Sequence, residues 1–137
     1  MSNILYPKYK EALLAGGVNL VAGAVKVALV DTGAYTFSPA HQFLSSVPTA
    51  ARIGAPGVLA NKTVSGGVFN ADPTMLASVP AGSGTAAASE ALVLYRDSGT
   101  DATSELIAFW DSATGLPLVT NGGNVSITWN AGGIFNL

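Results

Sequence analysis

The sequence predicts a mainly β domain of the antiparallel sandwich or small-barrel kind, with two short helices near its start. Three observations carry that prediction. Seven to nine short stretches alternate apolar with polar side chains, or run briefly apolar between turn signals. Glycine pairs at 16/17, 66/67, 122/123 and 132/133 punctuate them. No strand–helix rhythm and no repeat of fixed period runs through the chain, so a doubly wound parallel sheet and a solenoid are not expected.

The first element is a helix over 6–15 (YPKYKEALLA). Pro7 suits a first helical position, Leu13 and Leu14 follow Tyr9 and Lys10 at i+4, and Gly16-Gly17 ends the run. At this length it must dock on something to persist. Residues 25–31 (VKVALVD) read as a strand with Val25, Val27 and Leu29 on one face. Asp31-Thr32-Gly33 is a turn. Ser38 as N-cap and Pro39 at the first helical position predict a second helix carrying His41, Phe43 and Leu44 and ending near Val47-Pro48. Short strands follow around 50–54, 58–65 and 67–71, with a tight turn at Ser65-Gly66-Gly67, and another from Met75 to Val79. Residues 80–89 are a connector of small residues. The clearest pair is 90–96 (EALVLYR) with 104–111 (SELIAFWD), joined by the polar loop DSGTDAT. Ala113-Thr114-Gly115 turns the chain, Leu116, Leu118 and Val119 make a brief strand, and Asn121-Gly122-Gly123 turns it again. In 124–130 (NVSITWN), Val125, Ile127 and Trp129 alternate inward with Ser126, Thr128 and Asn130 outward; IFNL closes the chain. The 137 residues suit one domain, 1–137, large enough to bury a core without staples.

Charge is the unusual quantity. Six basic and eight acidic side chains make up 10% of the residues, against roughly 25% in an ordinary soluble domain. Area scaling gives a monomer of this mass on the order of 6,600 Å² of surface, or about 470 Å² per charge. A net charge of −2 adds little self-repulsion. Such a surface is well tolerated where neighbours cover it. The acidic balance and six scattered cations leave no basic stripe for nucleic acid. No apolar run reaches a membrane span, and MSNILYPKYK lacks the pattern of a secretion signal.

The search for chemistry gives no catalytic, cofactor or metal site. The chain has no cysteine and one histidine, His41, so only carboxylates could complete a metal site. Local hydrogen bonding is the expected role of His41. No nucleophile elbow marks a serine for a triad, and no phosphate-binding glycine loop is present. Asp97 and Asp101 share a loop, yet the loop has too few acids in register for a calcium site. The aspartates are expected to cap turns and pair locally. The sequons at Asn61-Lys62-Thr63 and Asn124-Val125-Ser126 carry little information. Trp110 and Trp129, both at inward positions, are expected in the core rather than in an exposed sugar-binding platform.

The order of features resembles a family of small tailed-bacteriophage virion proteins. The resemblance lies in ILYPKYKEALLAGGVNL, in VKVALVDTGAYTFSPAHQFLSSVP followed by AARI, in VLYRDSGTDATSELIAFWD, and in NGGNVSITWNAGGIFNL. It covers nearly the whole chain, with the DTGAYTFSPAHQFL stretch most specific and residues 55–88 matching loosely. Some members resemble capsid cement (decoration) proteins, jelly-roll sandwiches that associate around symmetry axes on the outside of shells. The resemblance implies a non-enzymatic virion protein on the outer capsid surface, made in the bacterial cytoplasm. Its implied partners are the major capsid protein and copies of itself as a dimer or trimer, with no cofactor, nucleic acid or membrane. A tail, neck or fibre-associated component and a carbohydrate-binding sandwich are the alternatives. The family has no active-site motif to carry over. The apolar ends, Ile4, Leu5 and Tyr6 before the first helix and Phe135 and Leu137 at the close, are the expected assembly contacts, since termini are usually polar unless tied down.

Overall fold

The computed structural model describes residues 4–17, 19–80, 88–111, 116, 118–130 and 132–136. Of the connector expected over 80–89, residues 81–87 lie outside them, as do the turn expected at 113–115 and Leu137; the connector's end, Ala88–Ser89, is a short strand rather than a linker. The protein is mainly β, and each of its strand pairings is antiparallel. Its strands are β1 (Ile4–Leu5), β2 (Ala24–Val30), β3 (Arg52–Val58), β4 (Thr63–Ser65), β5 (Val68–Asn70), β6 (Thr74–Leu76), β7 (Ala88–Ser89), β8 (Ala91–Asp97), β9 (Glu105–Trp110), β10 (Leu118–Val119), β11 (Val125–Ile127) and β12 (Phe135–Asn136). Five form the main sheet in the order β1-β9-β8-β2-β3; the others form the small sheets β10-β7, β11-β6 and β12-β5-β4. The accessible surface is 6739 Å², as the mass alone predicts.

The central strands are apolar on both faces, so both faces must be covered. Val27 and Leu29 of β2 stand beside Leu94 and Leu92 of β8, and Leu94 beside Ala108 of β9. Ala28 and Val30 share the opposite face with Val93, Ala91 and Phe109. All of these side chains are buried. The sheet β11-β6 and the segment after it lie against the first face. Gly57, opposite Val27, lies against Thr74 and Leu76 of β6, and Trp110, opposite Leu92, meets the Trp129 ring at 5.8 Å. Over the other face runs the segment between β2 and β3, whose Tyr35 and Phe37 rings sit 6.1 and 5.4 Å from Phe109.

That covering segment corrects the expectation of a second helix. Ser38 and Pro39 open only a turn, closed by His41 N–H donating to the Ser38 carbonyl at 3.0 Å. The chain then runs alongside β9: Leu44 N donates to Ser104 O (2.8 Å), and Leu106 N to Gln42 O (2.9 Å). Two short 3₁₀ turns follow, Leu44–Ser46 and Thr49–Ala51. A helix would have spent the 42–44 backbone groups on itself. Pairing them with β9 satisfies that strand's outer edge, which local propensity cannot foresee. Arg52 fixes the turns from β3, donating through Nε to Val47 O (3.0 Å) and through Nη2 to Leu44 O (3.1 Å).

The first helix and the other expected strands differ from expectation in their ends, and in one case by a break. The one α-helix among the described residues, α1, spans Pro7–Leu14. It buries Tyr9, half-buries Leu13 and leaves Leu14 89% exposed, so the two leucines do not share a face. The strand expected over 75–79 ends at Leu76, and the long one over 58–65 is two strands broken at Leu59–Lys62. Between Val27↔Gly57 and Leu29↔Ile53, residues 54–56 bulge opposite Ala28. Gly54 takes φ +70° there, with Val79 Cγ1 3.0 Å from where its Cβ would stand.

The contact between β3 and β6 makes one prediction. A Cβ on Gly57 would stand 2.7 Å from Thr74 Cγ2 and 2.9 Å from Leu76 Cδ1. Gly57→Ala should therefore lower the unfolding free energy by about 1–3 kcal/mol through overpacking, read as a lower urea midpoint at unchanged slope.

Candidate assembly surface

Between α1 and the sheet β12-β5-β4 lies a groove of about 460 Å³. Val64, Phe69 and Phe135 stand side by side across that sheet, since Val64 pairs with Phe69 and Phe69 with Phe135. They form one wall, and Tyr9 and Leu13 of α1 contribute to the lining with Leu20 and Val21. No charged side chain lines it. Val21 (50%) and Val64 (58%) stay exposed in it, and Leu14 projects from α1 next to Leu13. A second groove, over Leu29 and Leu92 and bordered by Leu116, Leu118, Val125 and Ile127, is also free of charged lining.

The five expected contacts have different fates. Tyr6 is fully buried; its N–H donates to Ile107 O at 2.9 Å and its ring lies 5.0 Å from Phe37. It belongs to the chain's own core and has no surface to offer a partner. Leu5 pairs with Ala108 in the main sheet and is half-buried, and Ile4, opposite Phe109, keeps 37% of its surface. Phe135 packs its ring on Phe69 (5.4 Å) and Tyr9 (6.1 Å) and borders the groove. Leu137 lies outside the described residues. The groove residues other than Phe135 were not foreseen. The available signal was the β4–β5 hairpin, which is free of charge from Thr63 to Asn70 and turns on Gly66-Gly67.

Charges gather elsewhere and satisfy one another. Lys26 pairs with Asp97 (2.8 Å) and Arg52 with Asp101 (2.9 Å), both around the cleft beside Tyr95. Lys8 pairs with Glu11 on α1 at 3.2 Å. Asp31 is buried, with Oδ1 accepting from Gly33 N at 2.9 Å. The loop aspartates therefore act as turn and ion-pair partners. Lys26, then the Gly99 N–H, holds the Asp97 carboxyl below its ordinary value. Among the described residues no group of three or more His, Asp or Glu side chains could hold a metal ion. No helix there is long and apolar enough to cross a membrane.

His41 ends a buried relay. Its Nδ1 lies 2.9 Å from the Tyr35 hydroxyl, which lies 2.7 Å from the Tyr6 hydroxyl. Burial pushes both tyrosines up in pKa, so they stay neutral hydrogen-bonding groups. The relay ties the segment before α1 to the segment over the main sheet. Each of the 11 aromatic side chains is buried or half-buried. Trp110 and Trp129 are half-buried and meet at a 50° tilt, with Trp129 Nε1 donating to Thr74 Oγ1 at 3.2 Å. Both pack against the core without being fully buried.

The chain matches no protein-family model and no curated protein.

Two outcomes follow from the polar groups. Tyr35→Phe leaves the buried Tyr6 hydroxyl without its partner and should cost about 1–3 kcal/mol by chemical denaturation. Asp97, whose folded value is depressed, contributes stability above the ordinary 3.8 that is lost as pH falls through the lowered value. The pair is about a quarter exposed, so the contribution is at most about 1 kcal/mol. The stability difference between wild type and Asp97→Asn should shrink over that acid range; a difference unchanged there would contradict the pairing.

Proposed function

We propose that this chain is a structural component of a tailed-bacteriophage particle: a cement protein on the outer capsid surface that bridges major capsid protein subunits and associates with copies of itself. The sandwich of this reading is of the jelly-roll kind, with the main sheet as one layer and the small sheets in the other. The observation that carries it is the neutral surface. Fourteen charged side chains serve 6739 Å²; among the described residues Lys8, Glu11, Lys26, Arg52, Asp97 and Asp101 are tied up in ion pairs and Asp31 is buried. Among the described residues neither groove has a charged lining, the first being mostly apolar and the second bordered also by Asn124, Ser126, Thr128 and Asn130. Such surface loses little when desolvated against a partner, whereas an unpaired charge would cost several kcal/mol. The sequence resemblance supplies the particle, and the absence of any recognised nucleophile–base pair in the sequence agrees with a non-enzymatic role.

Mechanically, a cement protein works by adding bridges. Each contact need bury only about 800 Å² per partner to be specific. Parting two capsomers must then break many weak bridges together. A tail, neck or fibre-associated part is the second reading, carried by the same resemblance.

A quantified gel of purified particles separates the two. A copy number approaching that of the major capsid protein is expected. Far fewer copies would move the protein to the tail, and its absence from particles would end both readings.

A further inference from the structure

The sheet edges of this protein are treated unequally. The outer edge of β9 is sealed twice, by β1 with the Tyr6 N–H and by the Gln42–Leu44 backbone. The outer edge of β3 is blunted by Pro56 and by the bulge at residues 54–56; proline and bulges are common devices against edge pairing. β4 has neither. It holds no charge or proline, all three of its residues are exposed, and among the described residues its only strand partner is β5.

Geometry fixes which groups that edge offers. Ser65 pairs with Val68 across a two-residue loop whose glycines have φ +59° and +80°, the primed turn that closes on a hydrogen-bonded pair. The next pair, Val64 with Phe69, is therefore the non-hydrogen-bonded kind. Phe69 O accordingly serves the other side, accepting from Ile134 N at 2.7 Å. The N–H and C=O of Val64 point away from β5, out of the sheet.

We infer that β4 is an interaction edge and that its partner is β4 of a second copy, joined antiparallel about a two-fold axis at Val64. The edge is its own complement. Val64 meets Val64 with both backbone bonds exchanged, Thr63 meets Ser65, and Lys62 meets Gly66, so no like charges are opposed. The exposed Val64 side chain carries the contact into the apolar groove beside it. The inference deepens the assembly reading and rests on it for the use of self-association; the edge geometry is independent of it.

Sedimentation equilibrium and concentration-dependent amide exchange on the purified chain test this. The expected result is a dimer whose formation slows exchange at the Val64 amide. Val64→Pro, which removes the outward N–H, and Val64→Lys, which opposes two charges, should each weaken it at least about tenfold. The wild-type exchange reading does not depend on either variant folding. A wild type that stays monomeric up to about 1 mM, or two folded variants that dimerise as well as wild type, would overturn the inference. Protection of Val64 that appears only with shell protein present would also overturn it, by giving the edge to the shell. Particle binding measured in parallel keeps the two ideas apart, since dimers that fail to bind particles contradict only the cement reading.

Discussion

The structure depends on one constraint: β2, β8 and β9 carry apolar side chains on both faces, so neither face can meet water. Burying a side chain of the Val, Leu, Ile or Phe class is worth about 1.5–3 kcal/mol, and ten such buried residues lie in these strands. The chain meets the constraint with two unlike covers. The short strands of the sheet β11-β6 and the segment after it lie over one face. An irregular run, pinned by Arg52 and by the His41–Tyr35–Tyr6 relay, lies over the other.

The grooves are consequences of covering a broad sheet with short pieces. Strands of two or three residues cannot tile it without seams. At the seams apolar side chains stay half-exposed, as Val21 and Val64 do beside α1. The charged side chains sit elsewhere, most of them engaged with one another or with backbone. Grooves without charged lining, beside charged groups that satisfy one another, are what make an assembly role physically economical.

Legibility in the sequence followed locality. β2, β8, β9 and α1 were readable because the strands are nearly unbroken apolar runs and all four have ends that carry Pro, Gly or polar turn residues. The segment from Ser38 to Val47 misled, because a genuine local helix start was outweighed by the free edge of β9, sixty residues later in the chain. Tyr6 looked like a loose apolar end, and nothing within a few residues of it announces that Tyr35 and Phe37 wait to enclose it. Of the expected contacts that are described, Ile4 is exposed, Leu5 and Phe135 are half-buried, and Tyr6 alone is enclosed. The groove needed the hairpin at Gly66-Gly67 to fold back near α1, a long-range event that no window of sequence reports.

The central claim is that the grooves without charged lining are covered in the working state while the ion-paired groups are not. Hydroxyl-radical footprinting of the free chain against the same chain in purified particles tests it directly. The account predicts loss of labelling at Leu14, Val21 and Val64, with labelling near Lys26 and Arg52 unchanged. Protection confined to the ion-paired groups, or equal labelling in both states, would contradict it.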